Sequence, residues 1–148
     1  LVYGPGVKAN FLSLMKLVRT GWPLPLGDID NIRSMVSLDN LVDFILTCIE
    51  NPKAANQTFL ISDGEDLSVT ELLARLASAM DVPSRLISVP PPLLRLGLRL
   101  VGEKKIADRL CGSLQLDIAK AKTMLGWSPV LSVDEGLKKT VKYFSENS

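Results

Sequence analysis

The stretch GWPLPLGDIDNIRSMVSLDNLVDFIL, residues 21–46, contains the change of pattern that decides the fold. After a turn marked by prolines and glycine, IRSMVSL (32–38) has the alternation of a strand. The following DNLVDFILTCIENP (39–52) is predicted as a helix, capped by Ser37 or Asp39 and stopped at Pro52. A short strand followed directly by an amphipathic helix predicts an α/β protein.

The pattern continues in both directions from this stretch. Toward the N-terminus, Val2-Tyr3 is predicted as the end of a strand. A helix that ends at Gly21 is predicted next, because apolar residues recur there at helical spacing: Phe11, Leu14, Met15 and Val18. Toward the C-terminus, Ser68 with Glu71 and Ser132 with Glu135 are capping boxes that open two helices, the second of which runs to about Phe144. The other predicted elements are strands at TFLIS (58–62) and RLISVP (85–90) and helices at PPLLRLGLRLVG (91–102) and DIAKAKTMLG (117–126), the last ended by Gly126.

Composition limits the class of protein. The chain has 148 residues, 47% of them hydrophobic, which is enough for one core, so we expect a single domain over 1–148. The formal net charge is +1 and charges of both signs are interspersed, so we do not expect nucleic acid as a partner. The mean hydropathy of +0.22 is high for a free-standing soluble domain, which suggests that a partner surface is missing.

Histidine is absent, and this excludes Ser-His triads, Cys-His dyads and the usual zinc sites. The cysteines are Cys48, within an apolar run, and Cys111, a usage that suits a reducing compartment. The sequence shows no signal peptide and no apolar run of about 20 residues, so we expect a cytoplasmic protein without membrane association.

Three features have chemistry that could bind an anion or a flat base. Arg33 offers a planar fork suited to phosphate, although a surface ion pair with Asp28 or Asp30 is the alternative on spacing alone. Asn10 lies in the first turn of a helix, where free N–H groups attract anions, or it is simply solvated there. Pro25 and Leu26 form either an apolar shelf for a base or a plain turn.

The DIDN acids (28–31) lack the glycine and distal glutamate of a calcium loop, so we expect no metal.

Five segments in register resemble the C-terminal portion of the extended short-chain dehydrogenases/reductases. They are LVYGPG (1–6), ANF (9–11), GWPLPLGDIDNIRSMVSLDNLV (21–42), NQTFLISDGEDLSVTELLARLA (56–77) and DIAKAKTMLGWSPVLSVDEGLKKTVKYF (117–144). Within that family the chain looks like the NAD-dependent nucleotide-sugar epimerases and dehydratases, in particular the bacterial enzymes of surface-polysaccharide synthesis. The resemblance implies a helix-rich portion of a Rossmann-type enzyme, with short strands.

The family's catalytic half is not found in this sequence. The resemblance places VYGPG after the sixth strand of the Rossmann sheet, beyond the glycine-rich cofactor loop and the Tyr-x-x-x-Lys pair. Neither motif is present, because Tyr3 is followed four residues later by Val7, and Tyr143 by Asn147. We therefore expect a substrate-binding portion that lacks its N-terminal dinucleotide-binding half, contains no catalytic residue and is inactive alone.

The resemblance also implies roles for individual residues. Asn10, Phe11 and Arg33 match positions that meet the diphosphate of the nucleotide sugar, and Pro25 and Leu26 match the segment that lines the base. Leu1 stands where many relatives have a substrate-contacting asparagine, and we assign Leu1 and Val2 to the cofactor. The arginine usually found shortly before DIxKA has no clear counterpart; Arg109 is near but out of step, so Ser113 and Gln115 are proposed to rebuild this contact.

By this resemblance the chain binds the nucleoside diphosphate of a UDP-sugar as the substrate lobe of a homodimeric NAD-dependent 4-epimerase. A tyrosine of the other half would move the sugar hydroxyl proton, and NAD would take the C4 hydride. A 4-keto-sugar reductase or dehydratase lobe remains an alternative, as does a non-catalytic sensor or assembly factor of the same family. The leucine- and arginine-rich residues 90–110 form either a helix over the substrate lobe or an interfacial membrane helix.

Overall fold

The computed structural model describes residues 1–100 and 112–147, and it shows a helix-rich chain with short strands. The elements are β1 (Val2–Tyr3), α1 (Ala9–Arg19), β2 (Arg33–Ser34), β3 (Val36–Ser37), α2 (Leu38–Glu50), a 3-10 turn (Pro52–Ala54), β4 (Asp66–Leu67), α3 (Val69–Ala79), α4 (Pro91–Leu100), α5 (Ala119–Leu125) and α6 (Val133–Glu146). Arg109, Cys111 and the part of the 90–110 stretch beyond Leu100 lie outside the described residues.

The chain divides into two compact units. The first consists of Leu1–Lys8, Ser34–Asp66 and Gln115–Ser148, and the second of Ala9–Arg33 and Leu67–Leu114. The single domain over 1–148 stays a prediction.

The first unit contains a parallel pair of strands backed by helices. In this pair β1 aligns with β3, Val2 opposite Val36 and Tyr3 opposite Ser37. Phe44 of α2 and Trp127 pack edge to face with their ring centroids 5.0 Å apart. The indole N–H of Trp127 donates to Asp43 Oδ2 at 2.8 Å. Aromatic packing with a satisfied indole therefore joins α2 to the residues that follow α5.

A buried polar network connects distant parts of the same unit. The hydroxyl of Tyr3 donates to Asp63 Oδ2 at 2.7 Å, and burial, with the Asp63 contact second, raises the pKa of Tyr3 far above its ordinary value. The other oxygen of Asp63 accepts from the side-chain amide of Asn40 at 2.6 Å and from the backbone N–H of Ser37 at 2.8 Å. Residues of β1, of the start of α2 and of the loop at Asp63 all contribute hydrogen bonds to this network. The network therefore fixes the positions of these three segments relative to one another.

The second unit is built on the packing of α1 against α3. Phe11, Met15 and Val18 are buried on α1, and Leu73 and Leu76 are fully buried on α3. Ahead of β2, the chain around Leu24 bridges in parallel to Leu86, and Gly27 N–H donates to Ile87 C=O at 2.9 Å. A Cβ on Gly27 would lie 2.9 Å from the carbonyl carbon of Ile87, so this close approach requires glycine.

Most predicted helices are confirmed, together with three N-terminal caps and one C-terminal cap. Ser37 caps α2, and both capping boxes have their reciprocal hydrogen bonds. Gly126 ends α5 in the left-handed conformation with φ of 69°, as the sequence predicts.

Three predicted strands differ in the structure. TFLIS (58–62) is wrong as a strand: its residues are in no strand, Leu60 is 52% exposed, and a bond from Asp63 N–H to Met35 C=O lies just beyond its end. The single strand predicted for IRSMVSL is two short strands, β2 and β3, in different sheets. The segment RLISVP (85–90), predicted as a strand, instead forms an isolated parallel bridge between Leu86 and Leu24. These three differences have one physical reason. A strand forms only where a neighbouring backbone supplies hydrogen-bonding partners along its length, and an apolar run in the sequence does not specify that neighbour.

The capping box of α3 predicts a dependence of stability on pH. The Ser68 N–H donates to the Glu71 carboxylate at 2.8 Å and lowers the pKa of Glu71 below its ordinary value, with the Ser68 hydroxyl as the second cause. A carboxyl with a lowered folded pKa stabilises above its unfolded pKa, and the contribution is lost as the pH falls through the folded pKa. We expect Glu71→Gln to lower the free energy of unfolding at pH 6 and the deficit to shrink toward pH 3, measured by urea unfolding. A deficit that is equal at both pH values would contradict this origin.

Candidate functional site

Arg33 is held at the start of β2 by the backbone of a distant segment. Its Nε donates to the carbonyl oxygen of Gly112 at 2.9 Å, and Arg33 also forms a parallel bridge with Leu114. The side chain is half-buried. Because a guanidinium is planar and rigid, a fixed Nε fixes the plane of all its donors. Arg33 is therefore an oriented cation.

Ser113 and Gln115 lie on the segment that follows Gly112. The Ile32 N–H donates to Ser113 Oγ at 3.1 Å, and Leu114 N–H donates to Ile32 C=O at 2.8 Å, so this segment runs beside Ile32 and Arg33 in the second unit. Gln115 belongs to the first unit, where its side-chain amide donates to Asp66 Oδ2 at 3.0 Å. Both side chains are exposed, and both are engaged within the chain.

Asn10 and Phe11 lie in the first turn of α1, as the sequence predicts. Asn10 is exposed at the second position of the helix, where the first-turn N–H groups lack partners within the helix. Ala9 directly before it adopts a φ of 54°, a left-handed conformation that is unusual for alanine. Phe11 is 1% exposed and belongs to the core of the second unit, so its side chain anchors the start of the helix.

The predicted base shelf has one exposed member and one buried member. Pro25 is exposed, whereas Leu26 is 6% exposed and packs in the core. The Leu26 C=O accepts from the hydroxyl of Thr70 at 2.7 Å, and its N–H donates to Leu24 C=O at 2.8 Å. Of the two residues of the predicted shelf, Pro25 is therefore the one whose surface is accessible to a ligand.

Leu1 and Val2, assigned to the cofactor, lie in the first unit. Their side chains are 56% and 44% exposed, and Leu1 C=O accepts from Val36 N–H at 3.0 Å. They present apolar surface at β1 and no polar side-chain group. These two residues could pack against a ring but could not hold a pyrophosphate.

The structure adds a residue that the sequence did not single out. Asn31 is 5% exposed; its side-chain amide donates to Gly112 C=O at 2.8 Å, and its Oδ1 accepts from Val69 N–H at 3.0 Å. It is thus a buried polar connection between β2, the start of α3 and the segment at Gly112. A polar residue two positions before Arg33 in a half-apolar stretch is the only sequence signal, and it is weak.

Two structural findings concern other kinds of site. Within residues 1–100 and 112–147, no cluster of three or more histidine, cysteine, aspartate or glutamate side chains could hold a metal ion. None of the helices over the same residues is long and apolar enough to cross a bilayer.

The chain is similar to known proteins both in sequence and in structure. It is 53% identical over 97% of its length to the UDP-glucose 4-epimerase of Vibrio cholerae, of which it covers 44%. It superposes on the UDP-glucose 4-epimerase of Thermotoga maritima, solved with UDP-glucose, with a TM-score of 0.67 and 29% identity, covering 99% of this chain and 44% of that one. The UDP-glucuronic acid 4-epimerase of Bacillus cereus, solved with NAD, gives a TM-score of 0.69 at 20% identity, covers 98% of this chain and 42% of that one, and shows the fold alone. No family model matches the chain.

The chain is homologous to nucleotide-sugar 4-epimerases and other extended short-chain dehydrogenases/reductases, and it corresponds to a C-terminal portion of such an enzyme. It spans less than half the length of the relatives named above.

Proposed function

We propose that this chain is the substrate lobe of an NAD-dependent UDP-sugar 4-epimerase and that it binds the nucleoside diphosphate. The observation that carries the proposal is the oriented guanidinium of Arg33, whose Nε is held at 2.9 Å by the Gly112 carbonyl. The same unit contains the first turn of α1 with Asn10, whose N–H groups and dipole favour an anion. The similarity to UDP-glucose 4-epimerases supports a UDP-sugar as ligand.

The roles of the remaining residues follow from their exposure. Pro25 supplies the apolar contact to the base, while buried Phe11 and Leu26 hold the helix start and the turn in place. Ser113, exposed in the same unit as Arg33, contributes its hydroxyl toward the sugar diphosphate, and the assignment of Gln115 stays a prediction.

The cofactor is assigned mainly to the other half of the enzyme. The two residues assigned to the cofactor, Leu1 and Val2, fit NAD through apolar contacts alone, since neither has a polar side-chain group. NAD, when bound, supplies hydride-transfer chemistry. This chain's residues bind the diphosphate and so orient the sugar toward that chemistry, which is a contribution of proximity. We further propose that the full-length enzyme is a cytoplasmic homodimer and that residues 1–148 alone do not turn over substrate.

An assay of the full-length enzyme with UDP-glucose and catalytic NAD tests this proposal. Interconversion of UDP-glucose and UDP-galactose without net NADH supports a 4-epimerase. Stoichiometric consumption of NAD(P)H with a 4-keto sugar nucleotide would assign the lobe to a reductase instead, and loss of water from the sugar would assign it to a dehydratase. Binding of UDP-sugar without any turnover would favour the sensor or assembly factor. Failure to bind UDP or UDP-glucose would overturn the proposal.

The base shelf gives a prediction that separates binding from folding. In the full-length enzyme we expect Pro25→Ser to weaken UDP binding about threefold to fivefold, because a partial apolar contact contributes about 1 kcal/mol. The melting temperature and the affinity for NAD should stay unchanged. Leu26→Asp places a charge in the core, so we expect it to lower the melting temperature sharply. Unchanged UDP affinity in Pro25→Ser, measured by calorimetric titration, would remove Pro25 from the site.

A further inference from the structure

The carbonyl oxygen of Gly112 accepts two hydrogen bonds from side chains of the β2 region. Arg33 Nε donates to it at 2.9 Å and the Asn31 side-chain amide at 2.8 Å. A carbonyl oxygen has two lone pairs, so both bonds are compatible with ordinary geometry. The direction of Arg33 therefore depends on a carbonyl that Asn31 also holds.

Asn31 is itself fixed from the other side. Its Oδ1 accepts from the N–H of Val69, the first residue of α3, at 3.0 Å, and Ser68 caps that helix. With both ends of the amide engaged and 5% of the residue exposed, the side chain is restricted to one orientation. Asn31 thus transmits the position of α3 to the Gly112 carbonyl.

We infer that Asn31 is a positioning residue for diphosphate binding, which acts on the ligand through Gly112 and the guanidinium of Arg33. The inference rests on the proposed function. A guanidinium held in its bound orientation loses less side-chain entropy when phosphate binds, so preorganisation strengthens the interaction. Asn31 supplies this preorganisation from within the protein core.

A double-mutant cycle on the full-length enzyme tests the inference, with UDP as the probe in calorimetric titration. We expect Asn31→Ala to weaken UDP binding about fivefold, the effect of one hydrogen bond. In the Arg33→Ala background the same substitution should change the affinity less than about twofold, because nothing remains to be oriented. Asn31→Asp is the second variant. Its carboxylate can still accept from Val69 N–H, but it repels the Gly112 carbonyl oxygen instead of donating to it. This variant should therefore weaken UDP binding at least as much as Asn31→Ala.

Ser132→Ala is the matched control for stability. It removes the equivalent serine cap from α6, which belongs to the first unit, so it should lower the melting temperature and leave UDP affinity unchanged. Equal weakening by Asn31→Ala in both backgrounds, or no weakening by either Asn31 variant while Arg33→Ala weakens binding, would overturn the positioning role alone. No effect of Arg33→Ala itself would overturn the proposed function, and the positioning role with it.

Discussion

Arg33→Ala in the full-length enzyme should weaken UDP binding roughly ten- to 150-fold, which corresponds to about 1.5–3 kcal/mol for a charge-assisted hydrogen bond. The expected size follows from the oriented guanidinium and from the ability of its fork to meet two phosphate oxygens. Arg33→Lys should recover only part of the affinity, because an ammonium keeps the charge but cannot reproduce the fork. Calorimetric titration of the three proteins with UDP measures both effects.

The control for this comparison is Lys142→Ala, an exposed cation on α6. It removes the same charge from the protein without touching β2, so UDP should bind as in the wild type. Equal affinities in wild type, Arg33→Lys and Arg33→Ala would mean that Arg33 is only a structural or surface residue, and they would overturn the proposed function, which rests on this guanidinium.

Asn40→Ala should lower the free energy of local unfolding of the first unit by about 3 kcal/mol, since it removes the hydrogen bonds to buried Asp63 and to the part-buried backbone of Val130 and Leu131. Asn40 is fully buried; its Oδ1 accepts from the N–H groups of Val130 and Leu131 at 2.9 Å, and its amide donates to Asp63. Hydrogen exchange at the Val130 and Leu131 amides of the full-length enzyme should become about 100-fold faster.

The matched substitution for Asn40 is its neighbour, Asp39→Asn. Asp39 pairs with Lys139 at 2.7 Å, but both side chains are substantially exposed, so the pair contributes at most about 1 kcal/mol. The Val130 and Leu131 amides should keep their protection in this variant. Similar acceleration by both substitutions would show that the network around Asn40 is no stronger than a surface contact.

The helices could be predicted because their signals are local. Serine caps with a glutamate three residues on, a glycine stop and an apolar stripe specify α3, α5 and α6 from neighbouring residues alone. The strands are only two residues long and depend on partners far along the chain, as when β1 aligns with β3. For this reason residues 58–62, with a suitable apolar pattern but no ladder, were predicted as a strand and are not one.

The candidate site was predictable in its residue types and not in its connections. The helix start at Asn10 and the strand at Arg33 follow from periodicity. The anchor of Arg33 is a backbone carbonyl 79 positions away in sequence, and no side-chain pattern encodes it. Likewise the burial of Leu26 depends on α3, through the hydroxyl of Thr70, so exposure of the predicted shelf could not be read from PLPLG.

A crystal structure of the full-length enzyme with UDP tests the central claim most directly. The account predicts the diphosphate at the start of α1, with a phosphate oxygen about 3 Å from the guanidinium of Arg33 and the uracil against Pro25. The Arg33 Nε should donate to the Gly112 carbonyl in that complex as well. Diphosphate density bound elsewhere, with no oxygen in reach of Arg33, would contradict the account.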